Sequence, residues 1–162
     1  MGHKLAFFPV LLAAACVFSA VYGALHNQIS YTLSPWYFAS YQFGHFGIPM
    51  SQWNRVGATL VGIYGTYWMG LIIGPPVLLV GLILPGWKAY LKHTLIAFGV
   101  VTGTALLVGL VALTVARFSS PSSQHWASAM HDYGYLGGLL GIVTGVVYLV
   151  VARTRQRKAT GA

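Results

Sequence analysis

Long apolar runs alternate along the chain with short polar or aromatic segments. Residues 5–24 carry no charged side chain, and about 20 such residues are what an α-helix needs to cross a bilayer. Comparable runs cover about 56–84, 94–116 and 130–152. The pattern predicts an all-α integral membrane protein, with four transmembrane helices that form a single domain of residues 1–162.

The composition supports a membrane location. Hydrophobic residues make up 57% of the chain and charged residues 6%, whereas a soluble domain carries about 25% charged residues. With so few charged residues, the outer surface of the protein must face lipid or other proteins. The net charge of +8 includes a basic tail, residues 153–162, which follows an apolar run as cytoplasmic flanks do. We therefore expect no nucleic-acid partner. Cys16 is the only cysteine, which excludes a disulfide framework.

The lysines and arginines predict an orientation. With a cytoplasmic N-terminus, seven of the nine lie inside and two, Arg55 and Arg117, lie outside. The inner seven are Lys4, Lys88, Lys92, Arg153, Arg155, Arg157 and Lys158. Cytoplasmic flanks are enriched in Lys and Arg. We therefore predict a protein of the bacterial inner (cytoplasmic) membrane with both termini cytoplasmic.

The first apolar run also has features of a signal peptide, with Lys4 ahead of an apolar core and small residues near Gly23. Tyr22 fits poorly next to a cleavage site, which favours small residues. We expect an uncleaved membrane anchor.

Glycines recur at four-residue intervals in three of the predicted helices. Helices in lipid associate through close packing of small residues. We therefore predict that the helix contacts of a compact bundle include Gly70, Gly74, Gly99, Gly103, Gly137, Gly141 and Gly145. Pro75 and Pro76 predict a kink within the second helix, because proline removes a backbone donor.

Residues 25–55 form a predicted outer aromatic loop. It begins LHNQISYTLSPWYFASYQFGHFGIP, with many aromatic residues and no charge. Ser34 and Pro35 indicate a helix start, with serine as the cap and proline at the first helical position. The aromatic stretch that follows is too short to cross a bilayer, and amphipathic rings favour the headgroup level. We predict a short interfacial helix after the first span.

Four of the six histidines fall on the predicted outer side, and Asp132, the only acidic residue, adjoins His131. Histidine is the commonest metal ligand, and a carboxylate often orients it. Candidate ligands for copper, zinc or a haem iron are His26, His45, His131 and Asp132. His26 and His131 would be the pair for a bis-histidine haem. Close spacings such as H-x-x-x-H are absent, and Asp132 also suits a helix start. The cofactor is left open between none, haem, and copper or zinc.

Catalytic motifs are missing from the sequence. It contains no G-x-S-x-G, phosphate-binding loop or H-E-x-x-H, the patterns that mark common hydrolases and nucleotide-binding sites. Adjacent residues such as His131 and Asp132 do not face each other on a helix. We predict that the chain is not an enzyme.

Three segments, HNQISYTLSPWYF (26–38), WMGLIIG (68–74) and HDYGYLGGLLG (131–141), resemble a family of small, uncharacterised bacterial membrane proteins. Its pattern is H-[DN]-Q-x-x-Y-T-x-S-x-x-Y-F, and Trp36 stands where we expect an acidic residue. The resemblance implies no activity. It implies an outer-face cluster of His26, Asn27, Tyr31, Ser34, Tyr37, His131 and Tyr135.

Three functions follow as hypotheses. The leading one is an accessory or structural subunit that docks to partner membrane proteins or forms a homo-oligomer within the lipid bilayer, through its apolar faces and aromatic loop. The second is an outer-face metal- or haem-binding redox protein. The third is a small channel or transporter, although ion-coupled transport usually needs an ionisable group near mid-membrane and no Asp, Glu, Lys or Arg lies near the middle of a predicted span.

Overall fold

The computed structural model describes residues 2–160, with side chains for 4–158, and this part of the chain is helical almost throughout and has no strand. The all-α class is confirmed. In chain order the elements are α1 (Gly2–Ala6), α2 (Phe8–Leu33), α3 (Pro35–Tyr37), a π-helical turn (Phe38–Gln42), α4 (Phe43–His45), a 3-10 turn (Met50–Gln52), α5 (Arg55–Thr66), α6 (Met69–Gly81), α7 (Gly86–Ser119) and α8 (Ser123–Thr160).

Three of the described helices, α2, α7 and α8, are long and apolar enough to cross a membrane by length and composition. The pair α5 and α6 meets the same criterion only when taken together, and the two are bent by 47° at their junction. The described residues therefore offer three candidate spans, or four if the bent pair is counted as one.

The two ends of the bundle are distinct. Lys4 donates from its ammonium group to the carbonyl oxygens of Leu82, at 2.9 Å, and of Leu84. His93 and Gln156 lie with their Nε2 atoms 3.0 Å apart. These contacts gather α1, the α6–α7 turn, the start of α7 and the far part of α8 into one end, here called the basic end. The opposite end, formed by residues 26–55 and 117–132, is called the cavity end.

Close-packed apolar side chains fill the half of the bundle next to the basic end. Leu11 of α2, Leu78 of α6, Phe98 of α7 and Leu149 of α8 are all at most 2% exposed and belong to one core cluster. Since lipid is as apolar as these side chains, their stabilising contribution in a membrane comes from close packing.

Glycines allow the backbones to approach each other at several helix contacts. A methyl group added at Gly70 would overlap the backbone of Cys16, and one at Gly137 or Gly141 would come within 2.8 Å of α7. Gly74 and Gly145 also face neighbouring helices, against side chains of Leu12 and Val101 respectively.

Gly99 and Gly103 correct the packing prediction. A methyl group at either would meet no described atom of a neighbouring helix within 4 Å. The opposite face of α7, with Val101 and Ala105, is the face that contacts α8 at Gly137 and Gly141. Four-residue spacing places two glycines on one side of a helix, but it does not say which side the neighbour occupies.

The first long helix extends further than the sequence predicted. Its apolar run ends near residue 24, yet α2 continues to Leu33, so residues 25–33 of the predicted loop are helical. Their polar groups have partners on α5: the Asn27 amide donates to the Ala58 carbonyl and the Gln28 amide to the Arg55 carbonyl, both at 3.0 Å. The helix ends at Ser34, whose hydroxyl accepts from the Tyr37 amide, which confirms the predicted cap.

The bend in the second apolar run also lies elsewhere than predicted. Pro75 and Pro76 are inside α6, while the helix breaks between Thr66 and Met69. At the break, the Gly70 and Leu71 amides bond to the carbonyls of Tyr67 and Trp68, three positions back, which is the tighter 3-10 pattern. The bend therefore precedes the prolines by about two turns.

The aromatic segment 35–48 folds over the cavity end. Phe38 and Phe43 are at most 1% exposed and pack in one cluster with Ala58 and Val61 of α5. Trp36, in contrast, is 67% exposed. The segment is anchored from its inner side, and it forms a roof over the space between α2, α5 and α8.

Candidate functional site

A cavity of about 760 Å³ lies under this roof. Its walls come from α2, α5, α6, α7 and α8, and its roof from residues 37–46. Binding sites for small molecules usually fall in this range of volumes, with mostly apolar walls and a few placed polar groups. This cavity is the candidate functional site.

The floor of the cavity is apolar. It is formed by Met69 and Ile73 of α6, Val101 and Ala105 of α7, and Gly138 of α8. Beyond the floor, toward the basic end, the helices share a core of buried apolar side chains that includes Val77, Leu78 and Leu149. The cavity is therefore closed on that side.

One face of α2 supplies polar groups to the wall. Ser19, Tyr22, His26 and Asn27 line the cavity, and the rings of Tyr22 and His26 lie 5.4 Å apart. Residues three, four or seven positions apart share a helix face. Tyr22 and Ser19 were not singled out from the sequence, although their spacing from His26 places them on its face.

One face of α8 forms the opposite wall. Gln124, Ser128, His131 and Tyr135 follow each other at intervals of three or four, and all line the cavity. The Tyr135 hydroxyl donates to the carbonyl of Gly65 at 2.9 Å. This bond ties α8 to the end of α5.

His26 and His131 meet between these walls. Their ring centroids are 4.9 Å apart, at an interplanar angle of 83°. Both His26 nitrogens have neighbours: Nε2 is 3.3 Å from the Met130 carbonyl and Nδ1 is 3.4 Å from the Asn27 side-chain oxygen. His131 Nε2 is buried and has no hydrogen-bond partner among the described atoms.

Tyr37, in the roof, packs against His131. Its ring lies 5.4 Å from that of His131, and its hydroxyl accepts from the Gln42 amide at 2.7 Å. Burial raises the pKa of Tyr37; the Gln42 bond opposes the rise and the Asp132 carboxylate adds to it. The phenol therefore stays protonated, and its own O–H is available to donate.

The candidate metal ligands share the cavity without forming a ligand set. His26, His45, His131 and Asp132 all line it. The part of the chain that the structure describes nevertheless contains no group of three or more His, Cys, Asp or Glu that could hold a metal ion. Metal–imidazole bonds of about 2 Å on opposite sides of one ion hold the ring centres more than about 6 Å apart. At 4.9 Å, His26 and His131 are too close for a haem iron between them.

The outer-face cluster is brought together in part. Asn27, Tyr37 and Tyr135 line the cavity with the two histidines. Tyr31 instead packs on Phe38, with ring centroids 5.3 Å apart. The Ser34 hydroxyl lies 3.3 Å from that of Ser123, and it joins the roof to the start of α8.

The charges around the cavity are unequal. Asp132 is exposed and lines the cavity, whereas none of the lysines or arginines with described side chains does so. Arg55 lies over the Tyr31 ring, 5.7 Å from its centroid, and bonds to Thr32. Arg117 lies over the Trp126 ring at 5.0 Å. Both cations at this end are held by groups outside the cavity.

No family model, curated protein or solved structure matches this chain.

Proposed function

We propose that the chain is an integral membrane protein that binds an amphipathic small molecule in the cavity. In this proposal α2, the bent pair α5–α6, α7 and α8 form four spans of the bacterial inner membrane. Both termini are cytoplasmic, and the cavity end is on the outer side, where the aromatic roof lies at the headgroup level.

The observation that carries the proposal is the gradient of polarity within one cavity. Hydrogen-bonding side chains such as Tyr37, Gln42 and Gln124 line its rim, and apolar side chains such as Ile73 and Val101 line its floor. From Gln124 to Gly138, α8 rises about 20 Å. A ligand that fits has a polar head at the rim and an apolar body directed toward the middle of the membrane.

The geometry favours this function over two of the hypotheses from the sequence. A channel needs a continuous path, but Val77 and Leu78 are fully buried beyond the floor. A bis-histidine haem needs a wider separation than that between His26 and His131. The accessory-subunit hypothesis stays a prediction, which the mass of the purified protein tests.

The experiment is native mass spectrometry on protein extracted from its host membrane in mild detergent. We expect an additional mass of a small molecule on the chain. Gly138→Leu extends a side chain from the floor, where a methyl group already approaches Met69 and Ile73 at 3.5 and 3.8 Å, and we expect it to remove the additional mass. Gly103→Leu, at a position open to the bundle exterior, is the matched control.

An absorption spectrum and elemental analysis on the same sample separate the alternatives. A Soret band or stoichiometric copper, iron or zinc would replace the proposal with the metal or haem function. Protein that carries no additional mass and whose melting temperature does not respond to added membrane extract would contradict ligand binding. A mass of several chains would support the oligomer or subunit hypothesis.

A further inference from the structure

The mouth of the cavity has one formal charge, and it is negative. The chain has a net charge of +8 and one acidic residue, and that residue, Asp132, is exposed and lines the cavity. Arg55 and Arg117 are bound over aromatic rings outside the cavity. A cationic group at the mouth therefore meets a carboxylate and no lysine or arginine among the described side chains.

The cavity walls and roof also carry several aromatic side chains. Tyr22, Tyr37, Tyr41, Tyr135 and Phe46 all line the cavity. Aromatic rings attract organic cations through their negative faces, and cages of such rings are the usual way in which proteins bind quaternary ammonium groups. An anionic head, in contrast, would find a carboxylate and no fixed cation, so phosphate and carboxylate ligands are disfavoured.

Resting on the proposed function, we infer that the ligand is an amphiphile with an organic ammonium head, held at the mouth by Asp132 and the surrounding tyrosines. The apolar body lies on the floor between Ile73, Val101 and Gly138. A general lipid-binding groove would not distinguish head groups by charge, whereas this site prefers a positively charged head group.

The test uses three probes with the same alkyl chain: decyltrimethylammonium, decyl glucoside and decyl sulfate. Each is titrated calorimetrically, at pH 8, into protein in nanodiscs of zwitterionic lipid and into empty nanodiscs. At this pH ordinary histidines are neutral. We expect the ammonium probe to bind about fivefold more tightly than the glucoside, and the sulfate to bind most weakly.

Variants assign the preference to the carboxylate. Asp132→Asn should weaken ammonium binding about fivefold and leave glucoside binding unchanged, whereas Asp132→Glu should keep the preference. Arg117→Gln is the matched control, because it shifts the net charge by one unit in the opposite direction at the same end without altering the cavity wall. If long-range charge decided the preference, this control would strengthen ammonium binding.

The outcomes separate the two proposals. Equal affinity for the ammonium and glucoside probes, or a preference that survives Asp132→Asn, overturns the inference and leaves the amphiphile site in place. Heats equal to those of empty nanodiscs for all three probes overturn the amphiphile site itself. Unchanged glucoside binding in Asp132→Asn also shows that this variant is folded.

Discussion

The rings of His26 and His131 lie edge to face with their centroids 4.9 Å apart, and the two residues come from the first and the last of the long helices. The two His26 nitrogens lie near the Met130 carbonyl oxygen and the Asn27 side-chain oxygen, and a neutral imidazole donates to one of them. His131 Nε2 is buried without a described partner. A buried polar atom without a partner costs about 1–3 kcal/mol, so this position favours a ligand or an apolar replacement.

His131→Phe tests which of these holds. The phenylalanine keeps the ring contacts with Tyr37 and Phe38 and removes the unpaired nitrogen, so we expect the ligand-free protein to gain about 1 kcal/mol of stability. His131→Ala removes those contacts and should lose about 2 kcal/mol. The measurement is thermal unfolding in detergent, with the exposed His125→Ala as control. Equal losses in both His131 variants would mean that the nitrogen has a partner.

Gly62 is predicted to be intolerant of any side chain. A methyl group there would overlap the backbone of Gly23 on α2, so Gly62→Ala must separate two helices and should destabilise the protein by about 1–3 kcal/mol. Gly103→Ala, which meets open space, should be neutral or slightly stabilising, because alanine favours helix. Melting temperatures of the pair in one detergent provide the comparison. Similar values for both would refute the close contact.

Lys4 is predicted to stabilise the basic end. Its ammonium donates to the Leu82 and Leu84 carbonyls, which lie just beyond α6 and lack the amide partners that a continuing helix would supply. Lys4→Met should cost about 1–2 kcal/mol. Lys158→Met removes an equivalent charge from an exposed position and should have no effect. A loss of the same size in both variants would indicate a general charge effect.

The proposed orientation predicts which positions an impermeant maleimide can reach in intact spheroplasts. In a Cys16→Ser background, Ser51→Cys at the cavity end should react in spheroplasts. Thr154→Cys at the basic end should react only after lysis. Both positions are exposed, so burial does not limit either reaction. The reverse pattern would mean that the orientation is opposite to the proposed one. Labelling of both positions in intact spheroplasts would contradict four spans.

Hydrophobic patterning located the apolar helical segments, but it did not show where the helices end or that the second segment is two helices bent at their junction. The apolar run of the first span ends near residue 24, but α2 continues to Leu33 because Asn27 and Gln28 find carbonyl partners on α5. Those carbonyl partners, Ala58 and Arg55, lie 31 and 27 residues further along the chain. The local sequence shows polar side chains after an apolar run, which predicts a loop. It does not show that α5 packs beside them and supplies hydrogen-bond partners.

The sequence was sufficient to identify several residues of the candidate site, but not their arrangement in space. His26, His45, His131 and Asp132 were singled out, and all line one cavity. Helix periodicity would also have found Tyr22, one turn before His26. The spacing between the two histidines, which excludes a haem between them, depends on how α2 and α8 pack. That packing depends on contacts such as Gly134 of α8 against Tyr22 of α2.

The position of α8 in the chain has a consequence for biosynthesis. Tyr135, His131 and Asp132 belong to the last of the four long segments to leave the ribosome. Until that segment is inserted, α2 and α5 border an open groove, and Gly65 lacks the tyrosine that bridges it. A chain that stops before α8 therefore lacks one wall of the cavity and the bond that ties this wall to α5.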